Sequence, residues 1–165
     1  MPAPALKSLG RRSRSGRLRP KAVALRNPAE LASRLELATP ERLLLVDVPE
    51  PLGELAAAAR AGRSTAETAE AEAIRSVKEE FDAILVWREE RPGSQTLLAR
   101  AVKRLAPGGA LWVVVALRKV TGPKTPAVHR LGREDLVRAL EKTGLVVDRE
   151  VRVTPWHVAY RFKSR

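Results

Sequence analysis

Apolar residues fall along this chain in three dense runs and one closing pair. Leu43 to Val48 (LLLVDV), Phe81 to Trp87 (FDAILVW) and Ala110 to Leu117 (ALWVVVAL) are near-continuous apolar segments of strand length. That is the pattern of strands covered on both faces in a parallel sheet. Leu145 to Val153 and Trp156 to Phe162 flank Thr154-Pro155, and so short a connection predicts an antiparallel hairpin, with Trp156, Val158, Tyr160 and Phe162 on one face.

The stretches between these runs carry helical spacing and helix punctuation. Asn27-Pro28-Ala29-Glu30 offers an N-cap, a first-turn proline and an acid three residues on, with Leu31 and Leu35 on one face and Thr39-Pro40 as the stop. Leu52 to Ala61 reads as a short Ala-rich helix stopped by Gly62. Ser64 with Glu67 predicts a capping box and a further helix through Ala66, Ala69, Ala73 and Val77, so residues 54 to 80 read as helical throughout. Ser94 to Leu105 places Leu97, Leu98, Ala101, Val102 and Leu105 inward and ends at Pro107-Gly108-Gly109. A last helix over 133 to 143 ends at Gly144, a natural left-handed cap. Strands alternating with helices predict an α/β fold, a Rossmann-like three-layer sandwich with a mostly parallel sheet and a C-terminal antiparallel hairpin.

Charge changes the picture at one end. The 165 residues carry 31 Lys and Arg against 19 Asp and Glu, a net +12. Lys7, Arg11, Arg12, Arg14, Arg17, Arg19, Lys21 and Arg26 supply eight of those charges within residues 1 to 26, which contain no acid. With Ser, Gly and Pro and no helical or strand period, that stretch reads as a basic extended arm ahead of a domain over 27 to 165. Each arginine can fork onto phosphate oxygens, and each neutralised phosphate releases counterions, so a polyanion is the expected partner. A solubility tail or an Arg- and Ser-rich organellar presequence has the same composition.

Other chemistries are excluded or weak. With no cysteine and only His129 and His157, thiolate and histidine metal sites are not expected. No apolar run is long enough to span a bilayer, and a cytoplasmic location is expected. Asp82 opens its strand, away from the edge where α/β sheets take ligands; Asp47 is near that edge but has no partner base. His129 sits among cations, and His157 reads as a half-exposed strand residue. Trp87, Trp112 and Trp156 fall within strand patterns and read as core. Arg88, Arg91, Arg118, Lys119, Lys124, His129 and Arg130 fall in the two loops after the second and third apolar runs, so a basic patch is expected at that edge, diluted by Glu89 and Glu90.

From residue 43 onward the order of elements resembles the class I methyltransferase fold. FDAILVW, a helix and LAPGGALWVVV resemble that family's fourth strand, following helix and fifth strand, and the closing hairpin resembles its antiparallel sixth and seventh strands. RLLLVDVPEPL, PGGALWV and PWHVAYRF are also similar to a group of small bacterial proteins with a truncated Rossmann-like fold and an undefined role. The resemblance implies S-adenosylmethionine held by a Gly-rich turn after the first strand and by an acid ending the second. Here the turn is Asp47-Val48-Pro49-Glu50-Pro51-Leu52-Gly53, with one glycine and two prolines, and a helical 54 to 80 offers no such acid.

The sequence therefore points to a non-catalytic nucleic-acid-binding protein without cofactor or metal, associated with RNA, rRNA included, ahead of DNA. The residues expected to bind it are Lys7, Arg11, Arg12, Arg14, Arg17, Arg19, Lys21 and Arg26 of the arm with Arg118, Lys119, Lys124 and Arg130. Two alternatives stand beside this: a methyltransferase-like enzyme acting on RNA through an unconventional cofactor loop, and a structural subunit of a protein complex.

Overall fold

A computed structural model describes residues 28–37, 39–49, 54–60, 65–117 and 125–165. The basic arm, the Glu50 to Gly53 half of the turn, and Arg118, Lys119 and Lys124 lie outside them. Among the described residues, six strands form one sheet: β1 (Arg42–Val46), β2 (Thr65–Ala69), β3 (Phe81–Trp87), β4 (Leu105–Ala116), β5 (Leu145–Thr154) and β6 (His157–Ser164). Four α-helices among the same residues accompany them: α1 (Pro28–Arg34), α2 (Glu54–Arg60), α3 (Ser94–Lys103) and α4 (Arg133–Leu140).

The strand order is β2-β1-β3-β4-β6-β5, with the first four parallel and β6 antiparallel to both β4 and β5. Both faces are covered, as the continuous apolar runs predict. On one face Leu43, Leu45, Leu85, Trp112 and Val114 pack under Leu31 and Leu35 from the α1 segment and Leu55 from α2. On the other, Leu44, Ile84, Val86, Val113 and Val115 meet Leu97 and Leu98 of α3 and Leu136 and Leu140 of α4. The chain winds outward in both directions from β1 and β3, so the order reverses between them. In open α/β sheets that reversal is where a ligand-binding crevice forms at the carboxyl ends of the strands.

Two elements depart from the sequence expectation. The helix expected after Ser64 is instead β2, followed by a 3₁₀ helix over Ala71–Ser76. Pairing Thr65 to Ala69 along the free edge of β1 gives the backbone a complete ladder, which outweighs the modest helix preference of Ala and Glu over five residues. Pro107-Gly108-Gly109 does not separate α3 from β4. It lies inside the strand as an irregularity, with Phe81 opposite Leu105 and Ala83 opposite Ala110. Gly109 is needed there because an added Cβ would sit 2.9 Å from the carbonyl oxygens of Asp82 and Ala106. Gly144 takes the left-handed φ of 82° expected of the residue closing the α4 segment.

Candidate functional site

The carboxyl ends of β1 and β2 are clamped together by one residue, through its main chain and its side chain. Asp47, just past β1, has a left-handed φ of 57°. Its N–H donates to Ala69 O at 2.9 Å, while its carboxylate accepts the Ala71 N–H at 2.8 Å. The two bonds bracket Glu70, whose side chain is exposed and makes no capping hydrogen bond. An acid thus follows the second strand after all. The sequence reading missed it because its strand looked helical.

Across the reversal, the exit of β3 is built around Glu89. His157, only 2% exposed, places Nε2 at 2.7 Å from Glu89 Oε2 and Nδ1 at 2.8 Å from the Thr154 hydroxyl. Glu89 Oε1 accepts the Thr125 hydroxyl at 3.2 Å. Burial pushes the Glu89 carboxyl up, but the His157 hydrogen bond and charge and the Thr125 bonds outweigh it and hold it below the usual carboxylate range. An ionised carboxylate only accepts, so His157 Nε2–H is the donor to Glu89, and the other ring nitrogen is hydrogen-bonded to the Thr154 hydroxyl. The ring also lies 4.7 Å from the Trp87 ring. His157 is therefore buried and fully bonded, not the half-exposed strand residue expected. It starts an interior strand with both faces covered, where alternation does not separate buried from exposed positions.

Of the cations expected to make this edge basic, the three arginines among the described residues are committed to the protein itself. Arg88 donates through Nε to Glu90 O at 3.1 Å and through Nη2 to Pro92 O. Arg91 bonds Arg130 O at 3.2 Å and pairs with Asp135 at 3.5 Å. Arg130 is 5% exposed, with Nε on Thr125 O at 2.8 Å and Nη1 on Leu117 O at 2.7 Å. Its guanidinium joins Leu117 to Thr125 and is almost wholly buried. His129 is exposed on a 3₁₀ turn. Asp82 is exposed and accepts the Arg42 N–H at 3.0 Å, a local strand-start contact. Trp87, Trp112 and Trp156 are all buried, as expected of core residues.

A cavity of about 310 Å³ opens beside this edge, between the start of α4 and the ends of β4 and β6. Val115 and Val158 form an apolar floor, and Tyr160, Arg91, Arg133 and Asp135 stand at its walls. Among the described residues no cluster of His, Asp and Glu is arranged to hold a metal ion, and no helix is long and apolar enough to cross a membrane.

No family model and no curated protein sequence matches the chain. Solved structures do. The chain is similar to a SAM dependent methyltransferase from Aquifex aeolicus, with a TM-score of 0.64 at 13% identity over 90% of this chain and 92% of that one. It is similar to the N-methyltransferase NodS from Bradyrhizobium japonicum WM9, with a TM-score of 0.54 at 19% identity over 84% and 98% of the two chains. A third similar structure, at a TM-score of 0.55 and 14% identity over 82% and 80%, is the [4+2]-cyclase SpnF. At these identities the likeness establishes the fold, the Rossmann-like class I methyltransferase fold, and the cyclase among its hosts illustrates that one fold carries more than one chemistry.

Proposed function

We propose that this chain is a methyltransferase-like enzyme that takes S-adenosylmethionine at the carboxyl edge of β1 and β2 and acts on RNA. The observation that carries this reading is Glu70, an exposed acid directly beyond β2, held in place by the Asp47 clamp on either side of it. A carboxylate there is suited to accept both ribose hydroxyls of an adenosyl group. When bound, the cofactor supplies an electrophilic methyl on a sulfonium. The residues present fit the ribose half of that group. They depart from the family at the turn after β1, where Pro49 and Pro51 stand in place of glycines. The eight cations of residues 1 to 26 support RNA as the acceptor, because they favour a phosphate backbone over a neutral metabolite.

Calorimetric titration of the full chain with S-adenosylmethionine tests the proposal. Saturable micromolar binding is expected, and Glu70→Ala should weaken it about 10- to 100-fold, the loss of hydrogen bonds to an ionised acceptor. Absence of binding at millimolar cofactor would overturn it.

The two prolines favour a second reading, a non-catalytic RNA-binding protein that works through its basic arm. RNA affinity should then fall with salt with a slope of about −0.7 to −0.9 per phosphate contacted, and removal of residues 1 to 26 should flatten that slope. An RNA complex of this kind in a protein without cofactor binding selects the second reading over the first.

A further inference from the structure

We infer that the cavity at the start of α4 holds a single nucleobase of an RNA strand, stacked on Tyr160 and met at its edge by Arg133 and Glu134. The floor of this cavity is flat because of how it is built. Val115 and Val158 stand opposite one another in the β4–β6 register, and Tyr160 follows two residues along β6, on the same face of the sheet. A cross-strand valine pair beside an aromatic ring suits a flat apolar ligand better than a branched one. At about 310 Å³ the cavity lies at the small end of the range of about 300–1,000 Å³ that ligand pockets span, which suits one base with its ribose.

The walls supply the polar groups. Arg91 and Asp135 are occupied with each other at 3.5 Å, and Asp135 also accepts the Gly132 N–H. Arg133 and Glu134 line the cavity too, are exposed, and make no ion pair among the described residues. The Tyr160 hydroxyl bonds none of those residues either. Burial raises the Tyr160 phenol, and the charge of Arg133 opposes that rise, so the guanidinium stands within electrostatic reach of the ring. A base complements this set: it has two flat faces for a phenol ring or a guanidinium plane, and an edge whose donors and acceptors a carboxylate and an arginine can bond. β4 stands two strands from β1, about 10 Å by the usual strand spacing, so the cavity takes a base beside the cofactor edge and not the adenosyl group. That the base belongs to RNA rests on the proposed function, through the cations of residues 1 to 26; the shape of the cavity does not.

Tyr160 is the only tyrosine in the chain, so its ring signals in an aromatic proton–carbon NMR spectrum of the full chain are unambiguous. The probes are the monophosphates of adenosine, cytidine, guanosine and uridine, with inorganic phosphate as the control. At least one nucleotide should shift the Tyr160 ring signals saturably, with a Kd of about 1 mM or tighter, while phosphate leaves them in place. Arg133→Gln, a surface change, should weaken that titration by about threefold to tenfold. By calorimetry Tyr160→Ala should weaken the same nucleotide about tenfold or more, and Tyr160→Phe, which keeps the ring, should stay within about threefold of the wild type. Ring signals that no nucleotide moves, or that phosphate moves equally, would overturn the inference, as would an Arg133→Gln titration identical to that of the wild type. The cofactor is scored apart from this: Glu70→Ala should lose S-adenosylmethionine binding and keep the ring shift, so failure at either site is distinguishable from failure at the other.

Discussion

Replacing His157 by Phe separates the polar role of this residue from its bulk. The phenyl ring keeps the contact that the imidazole makes with Trp87 at 4.7 Å, but both ring nitrogens are lost. Glu89 Oε2 then loses a donor at 2.7 Å, and the Thr154 hydroxyl loses its contact with the ring at 2.8 Å while still accepting the Trp156 N–H. A hydrogen bond to an ionised group is worth about 1.5–3 kcal/mol and a neutral one about 0.5–1.5 kcal/mol. Because the Glu89 side chain keeps 17% of its surface exposed, water can replace part of the loss, so the cost should be about 2–3 kcal/mol in total. Urea unfolding followed by tryptophan fluorescence measures it as a fall in midpoint at constant slope. Glu89→Gln alone should cost about 1–2 kcal/mol, and the double variant should cost less than the two singles together by about 1 kcal/mol or more. Additivity of the two substitutions within about 0.5 kcal/mol would refute the coupling. The pH dependence has a fixed sign. Because the folded carboxyl lies below the ordinary glutamate value of about 4.3, its contribution is complete above that value and is lost as pH falls through the lowered one. The gap between the wild type and His157→Phe should therefore close in acid.

Tyr160 is the only tyrosine in the chain, so near-ultraviolet tyrosinate absorbance reports it alone. Burial, aided by Glu150, raises its phenol above the ordinary value of about 10, and the folded protein should titrate later than the urea-unfolded chain. The associated stability is present below the unfolded pKa and is lost as pH rises through the folded one; coincident titrations would contradict the burial of this ring. Gly109→Ala drives a methyl to 2.9 Å from two carbonyl oxygens and should destabilise by about 1–3 kcal/mol in thermal unfolding. Gly108→Ala meets no atom within 4 Å and bears only the strain of its positive φ, a cost of about 1 kcal/mol.

The elements most legible in the sequence are those whose pattern has a single physical solution. FDAILVW lies in the sheet from Phe81 to Trp87 as read, because seven apolar-rich residues bounded by polar ones fit a covered strand and little else. Gly144 ends the α4 segment as read for the same reason. TAETA was not legible. Ala66, Ala69, Ala73 and Val77 happen to recur at helical spacing, and a five-residue edge strand owes its conformation to the partner beside it. The candidate site divides along the same line. Asp47 was placed near the carboxyl edge from its strand alone, whereas Glu70 was hidden by the misread strand. The Glu89–His157 contact joins residues 68 apart in sequence, and no local spacing announces it. Arg130 carries the same charge as its neighbours in sequence, yet its burial depends on two carbonyls that only the folded loop brings together.

The position of β6 has a consequence for vectorial synthesis. It follows every other strand in sequence, yet it lies inside the sheet, bonded to β4 on one side and β5 on the other. A nascent chain that has emerged only as far as residue 156 leaves the apolar β4 with a bare edge, open to any strand that arrives first. The hairpin that brings β6 home is thus also what withdraws that edge from misassembly, and stalling in the segment between residues 117 and 157 is where chaperone dependence should be greatest.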